Sequence, residues 1–124
     1  MNINKFIYGL YNTAFSREAD NVGLKFWIDK SQQYQLTPTA IADNFMQSAE
    51  YKNIYGSNIS NSDFVTKLYQ NTFGRLPEPI GLAHWVDQLN AGLAKDKMIV
   101  SIVESTEAMQ LIGAQHPDQR KHAL

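Results

Sequence analysis

The chain contains no cysteine. That excludes a disulfide scaffold, thiolate zinc sites and a cysteine nucleophile. It does not exclude life outside the cell, since exported proteins can do without disulfides. Charge of one sign is also missing: 11 basic side chains stand against 12 acidic ones, a net charge of −1. A nucleic-acid binder needs a basic face and an anionic membrane attracts one, so neither partner is expected. No run of about 18 apolar residues occurs, so no transmembrane segment is expected. The opening MNINKFIYGLYN lacks the charged-then-apolar pattern with a small-residue cleavage site. The chain is then cytoplasmic, exported by a route that reads no such signal, or a piece of something longer. β-branched alternating runs are nearly absent, so no sheet is expected.

What the chain does have is repetition. GLKFWIDK at 23–30 returns as GLAHWVDQ at 81–88, and the match extends to FIYGLYNTAFSREADN (6–21) over FVTKLYQNTFGRLPEP (64–79), at an offset of 58. Phe6/Phe64, Leu10/Leu68, Tyr11/Tyr69, Phe15/Phe73, Arg17/Arg75, Gly23/Gly81, Leu24/Leu82, Trp27/Trp85 and Asp29/Asp87 are identical pairs. The offset then slips to 57, where Ser48/Ser105, Glu50/Glu107 and Gly56/Gly113 match. The missing residue falls between SQQYQLTP and LNAGLAKD. This is an internal duplication.

Each copy reads as four helices. Phe6, Ile7, Leu10, Tyr11, Ala14 and Phe15 keep the i, i+3/i+4 spacing of an amphipathic helix. Gly74 ends the equivalent helix, with Ser16 in its place in the first copy. Asp20 and Glu78 stand where a carboxylate would cap the second helix, and Pro79 suits its first turn. Leu24, Trp27 and Ile28, and Leu82, Trp85, Val86 and Leu89, form that helix's apolar face. Thr37-Pro38 opens a third helix bearing Ile41, Phe45 and Met46; its counterpart bears Met98, Ile99, Ile102 and Val103. Ser48 and Ser105 read as caps of a short fourth helix, with Gly56 and Gly113 at its C′ position. Ser57–Ser62 reads as the polar linker.

A four-helix copy of about 55 residues has a marginal core. The expected fold class is therefore all-α: about eight helices as two tandem four-helix repeats packed into one compact unit. The expected domain covers 1–113, with repeats over about 3–56 and 61–113, followed by a polar, flexible tail over 114–124.

The order F-[IV]-x-x-L-Y-x-x-x-F-[SG]-R-x-x-[DE]-x-x-G-L-x-x-W, then S-x-E about twenty residues on, resembles the bacterial domain-of-unknown-function family 4214. It runs over Phe6–Trp27 with Ser48–Glu50, and again over Phe64–Trp85 with Ser105–Glu107. Copy two keeps Gly74, Arg75 and Pro77 but has Glu78 where the family usually shows Asp. Copy one has Ser16 for Gly and Ala19 for Pro. The resemblance implies a domain of large secreted or cell-surface proteins, exported without a cleaved signal peptide. A similar repeat occurs in the amino-terminal, lipopolysaccharide-binding region of surface-layer proteins of Gram-negative bacteria. It implies bacterial cell-surface polysaccharide or lipopolysaccharide as the partner, with other copies of the parent surface protein as further partners, and no cofactor.

Each candidate residue has a plainer alternative. Trp27 and Trp85 could stack on sugar rings, but a tryptophan centred on an apolar stripe is usually core. Gly23 and Gly81 beside them would allow close helix approach. Arg17 and Arg75 could hold an acidic group bidentately, or fork onto loop carbonyls and the repeated Glu50 and Glu107. Phe26, Tyr34, His84, Tyr51 and Tyr55 are glycan-binding candidates on the expectation that they are partly exposed, in a groove between copies. The alternative for the tyrosines is packing between copies. SREADN has no EF-hand spacing, and Asp29 pairs naturally with Lys25 on a solvated face. His84, His116 and His122 make no helical metal pair. No nucleophile elbow or phosphate loop is present, so no catalytic activity is expected.

Overall fold

A computed structural model describes residues 2–115. These form eight α-helices and no strand: α1 (Ile3–Phe15), α2 (Asn21–Tyr34), α3 (Pro38–Met46), α4 (Ala49–Tyr55), α5 (Asn61–Phe73), α6 (Pro79–Asn90), α7 (Lys95–Val103) and α8 (Thr106–Gln115). None of them is long and apolar enough to cross a membrane.

Five helix starts are held by the side-chain oxygen of the preceding residue. Asn2 accepts from Lys5 N at 3.1 Å, Thr37 from Ala40 N at 3.1 Å, Ser48 from Tyr51 N at 3.1 Å, Ser60 from Asp63 N at 3.0 Å and Ser105 from Ala108 N at 3.3 Å. Each satisfies a backbone donor that the helix leaves unpaired. Ser60 lies inside the expected linker, so α5 begins one residue before Ser62. Asp20 and Glu78 occupy the N-cap positions of α2 and α6, yet neither side chain makes a capping bond. The expectation of carboxylate caps there is corrected.

Helix ends also follow local chemistry. Ser16 (φ 56°) and Gly74 (φ 68°) close α1 and α5 in the left-handed region. Glycine enters it freely, whereas serine carries the Cβ penalty. Gly56 closes α4. Gly113 does not close α8: the helix runs on through Gln115, and Gly113 is buried within it. A glycine is a C′ residue only where the chain leaves the helix, and here it faces the core instead. Residues 114 and 115 of the expected tail belong to α8, and residues 116–124, with His116 and His122, lie outside the described residues.

The core is built by equivalent helices meeting in pairs. α1 packs on α5 and α3 on α7, with α7 also crossing α1. Phe6, Ile7, Leu10 and Ala14 of α1 face Phe64, Val65 and Leu68 of α5, all fully buried. Ile41, Ala42 and Phe45 meet Met98, Ile99, Ile102 and Val103. Each large side chain so buried contributes roughly 1.5–3 kcal/mol, so the joint between the halves is the centre of stability. α2 and α6 lie outside, on α1 and α5 respectively. α2 has no fully buried residue, and it docks through Leu24 and Trp27.

Candidate functional site

Each outer helix is tied to its inner partner by the same pair. In the second half the Trp85 indole Nε1–H donates to Tyr69 Oη at 3.1 Å. In the first, the Trp27 side chain acts on the Tyr11 phenol, opposing the rise that burial imposes on its pKa. Trp27 also packs on Phe45, 4.9 Å between centroids. Both tryptophans are half-buried bricks of the α1–α2 and α5–α6 contacts.

The arginines form struts. Arg17 grips Glu50 with Nε and Nη2, both at 2.8 Å, and its Nη1 donates to Glu18 O at 3.0 Å. Its hydrogen bond to Glu50 raises the guanidinium pKa and lowers that of the carboxyl. Arg75 reaches Glu107 through Nη2 at 3.3 Å and Leu76 O through Nη1 at 3.4 Å. The second strut is the looser one.

Tyr51 and Tyr55 are not surface residues, which corrects the expectation of partial exposure. They are 7% and 5% exposed and stack on each other at 4.2 Å. Tyr55 Oη–H donates to Ala14 O at 2.7 Å, binding α4 to the end of α1. Burial pushes the Tyr51 phenol up to about 12, and that of Tyr55 further, with Tyr51 beside it. Their positions follow from α1 and α5 meeting beneath α4, which no local pattern reveals.

Phe26 and Tyr34 stand on the outer face of α2, 51% and 61% exposed. They border a shallow hollow of about 330 Å³ with Asp29, Lys30 and Gln33. All five residues belong to α2, so this surface runs along one helix and not between the halves. Eight residues at 1.5 Å rise separate the two rings by about 12 Å along the axis. Between them Lys30 Nζ lies 5.3 Å from the Phe26 ring centre, within cation–π range. Asp29 is held by Lys25 at 2.6 Å. Apolar ring faces thus alternate with an ammonium, an amide and a carboxylate. Lys30 and Gln33 were missed as site residues; the i, i+4, i+7, i+8 spacing from Phe26 was the available signal.

The second half has no such ledge. α6 ends at Asn90, and Ala91 and Gly92 stand where α2 still carries Gln33 and Tyr34. His84 replaces Phe26 and lies exposed, edge-on to Trp85 at 5.2 Å. Among the described residues no group of three or more acidic or histidine side chains could hold a metal ion.

Fold and surface together define a small all-α bundle whose equivalent helices pair at the centre and whose outer helices present unlike faces. The chain belongs to the family described as Domain of unknown function (DUF4214), which matches residues 42–112. No curated protein and no solved structure matches it.

Proposed function

We propose that the protein is a non-catalytic attachment module that binds bacterial surface glycan, the lipopolysaccharide O-chain or an exopolysaccharide. It would anchor a surface-layer or secreted protein outside a Gram-negative cell, after export without a cleaved signal peptide. Its two halves are proposed as two tandem copies of the family, similar to the lipopolysaccharide-binding region of surface-layer proteins. The α2 ledge carries this proposal: Phe26 and Tyr34 are large rings kept in solvent on a rigid helix. Sugar rings stack by their apolar faces on aromatic planes, while Asp29, Lys30 and Gln33 supply donors and acceptors for hydroxyls. The spacing of the rings suits an oligosaccharide. One such ledge is weak, and an array of parent proteins would add avidity.

A second proposal has its own observation. Val22 and Ile80, at equivalent positions, are 79% and 85% exposed, and Leu76 is also exposed. Apolar side chains displayed at the same place twice suit a protein–protein contact in a surface assembly.

The test is binding of the purified protein to outer-membrane glycan from its own source, with isolated O-polysaccharide as competitor. Saturable, competable binding that Phe26→Ala and Tyr34→Ala each weaken at least tenfold supports the anchor. No binding at millimolar sugar by a folded sample sinks it. Concentration-dependent self-association relieved by Ile80→Ser would then favour the second proposal.

A further inference from the structure

The two halves differ most where they should be most alike, at the glycine of the GL-x-x-W tract. A Cβ added at Gly23 would lie 2.5 Å from Tyr11 Oη and 2.7 Å from Asp20 Oδ1. That space is filled. A Cβ added at Gly81 would meet only Tyr69 Oη, at 3.7 Å, an ordinary contact. Glu78, one methylene longer than Asp20, does not close over its glycine. A hollow of about 280 Å³ remains, lined by Tyr69, Arg75, Glu78, Ile80 and Gly81. The loose strut adds to the contrast: Arg75 makes one long bond to Glu107, while Arg17 is gripped by Glu50 through two short ones.

From this asymmetry we infer that the second half carries a sugar subsite that the first half has closed, and that it takes a neutral pyranose with adjacent hydroxyls. The inference rests on the glycan-binding proposal above. The hollow offers donors from the Arg75 guanidinium, a hydroxyl on Tyr69 that already accepts from Trp85, and an acceptor carboxylate on Glu78. A carboxylate can take hydrogen bonds from two neighbouring hydroxyls at once. Ile80 supplies an apolar wall for the ring face. The charges select the class: the hollow's one guanidinium, Arg75, is already paired with Glu107, and Glu78 also lines the hollow, so an acidic sugar would meet a carboxylate with no unpaired cation beside it. The replacements that remove the aromatic ledge from α6, His84 for Phe26 and Ala91-Gly92 for Gln33-Tyr34, leave this hollow untouched, so each half keeps a different contact.

The experiment is amide and guanidinium chemical-shift mapping of the isotope-labelled full chain, with mannotriose as the neutral probe and trigalacturonate as the acidic one. Mannotriose is expected to move the Ile80 and Gly81 amides and Arg75 Nε–H. Gly81→Ala, whose methyl group enters the hollow without a clash, should cut those shifts severalfold, as should Glu78→Gln, which changes one exposed side chain. Shifts confined to Phe26–Tyr34 would overturn this inference and leave the glycan proposal standing. Stronger shifts at Gly81 with trigalacturonate would overturn the neutral class. No shift anywhere with either probe would overturn this subsite, while the glycan proposal stands or falls on the O-polysaccharide competition.

Discussion

Thr13 and Thr72 meet hydroxyl to hydroxyl at 2.9 Å inside the contact of α1 with α5. Both threonines are buried. Asn71 Nδ2 donates to Thr13 O at 3.0 Å, and Tyr55 Oη–H donates to Ala14 O one residue on. Among the described residues, every buried side-chain nitrogen and oxygen has a partner. The joint between the halves is thus apolar with one satisfied polar seam. Tyr55→Phe should cost about 1–2 kcal/mol, because it leaves a buried carbonyl without its donor. Thr72→Val should cost about 1 kcal/mol. Urea unfolding at neutral pH reads both as a lowered midpoint.

The same tyrosines predict an alkaline limit. Burial raises the folded-state pKa of Tyr51 to about 12 and raises that of Tyr55 as well, above the ordinary value of 10.0. The unfolded chain then loses these protons first. Their contribution is fully present below the unfolded pKa and declines as pH rises through the folded values. Tyrosinate absorbance should rise together with loss of helical signal in that window.

Substituting alanine at the two repeated glycines should give opposite results. Gly23→Ala must displace Tyr11 or Asp20, and overpacking of that kind costs about 1–3 kcal/mol. Gly81→Ala meets no close atom in α6 and exchanges a poor helix residue for the best, a gain of up to about 1 kcal/mol. Paired thermal unfolding of the two variants checks this, and equal shifts would refute it.

Acid should release the Arg17–Glu50 strut. Glu50 has its folded-state pKa lowered by the hydrogen bond from Arg17. Its contribution is present above the unfolded glutamate value and is lost as pH falls through the folded one. Both partners are over a third exposed, so the gain is under about 1 kcal/mol. Glu50→Gln should therefore lower stability slightly at pH 7 and not at all in strong acid. Glu107→Gln, whose contact with Arg75 is longer, should have the smaller effect at pH 7.

Neighbours on α2 should separate stability from binding. Trp27→Ala removes a half-buried ring from Phe45, a loss of about 2–3 kcal/mol given the roughly 3–5 for fully buried rings. Tyr34→Ala touches no core residue and should change stability by under about 0.5 kcal/mol. Denaturation and glycan binding measured on the same two samples would show whether either residue plays both parts.

The sequence by itself determined the helices and their pairing into halves. Caps such as Thr37 and Ser48 act on a backbone N–H three residues away, and the Phe6–Leu10–Ala14 stripe repeats every turn. Such signals are complete within a few residues, so they survive without knowledge of the rest of the chain. The tertiary structure alone decided which faces stay open. Tyr51 and Tyr34 are alike in sequence terms, but one is buried on α4 against the core and the other stands exposed on α2. Gly113 looked like Gly56, yet α8 continues past it. Gly23 and Gly81 are the same residue in the same tract, and only the direction taken by Asp20 or Glu78 makes one a filled contact and the other a hollow. Burial and side-chain direction depend on atoms distant in sequence, and no local pattern encodes where those atoms will be.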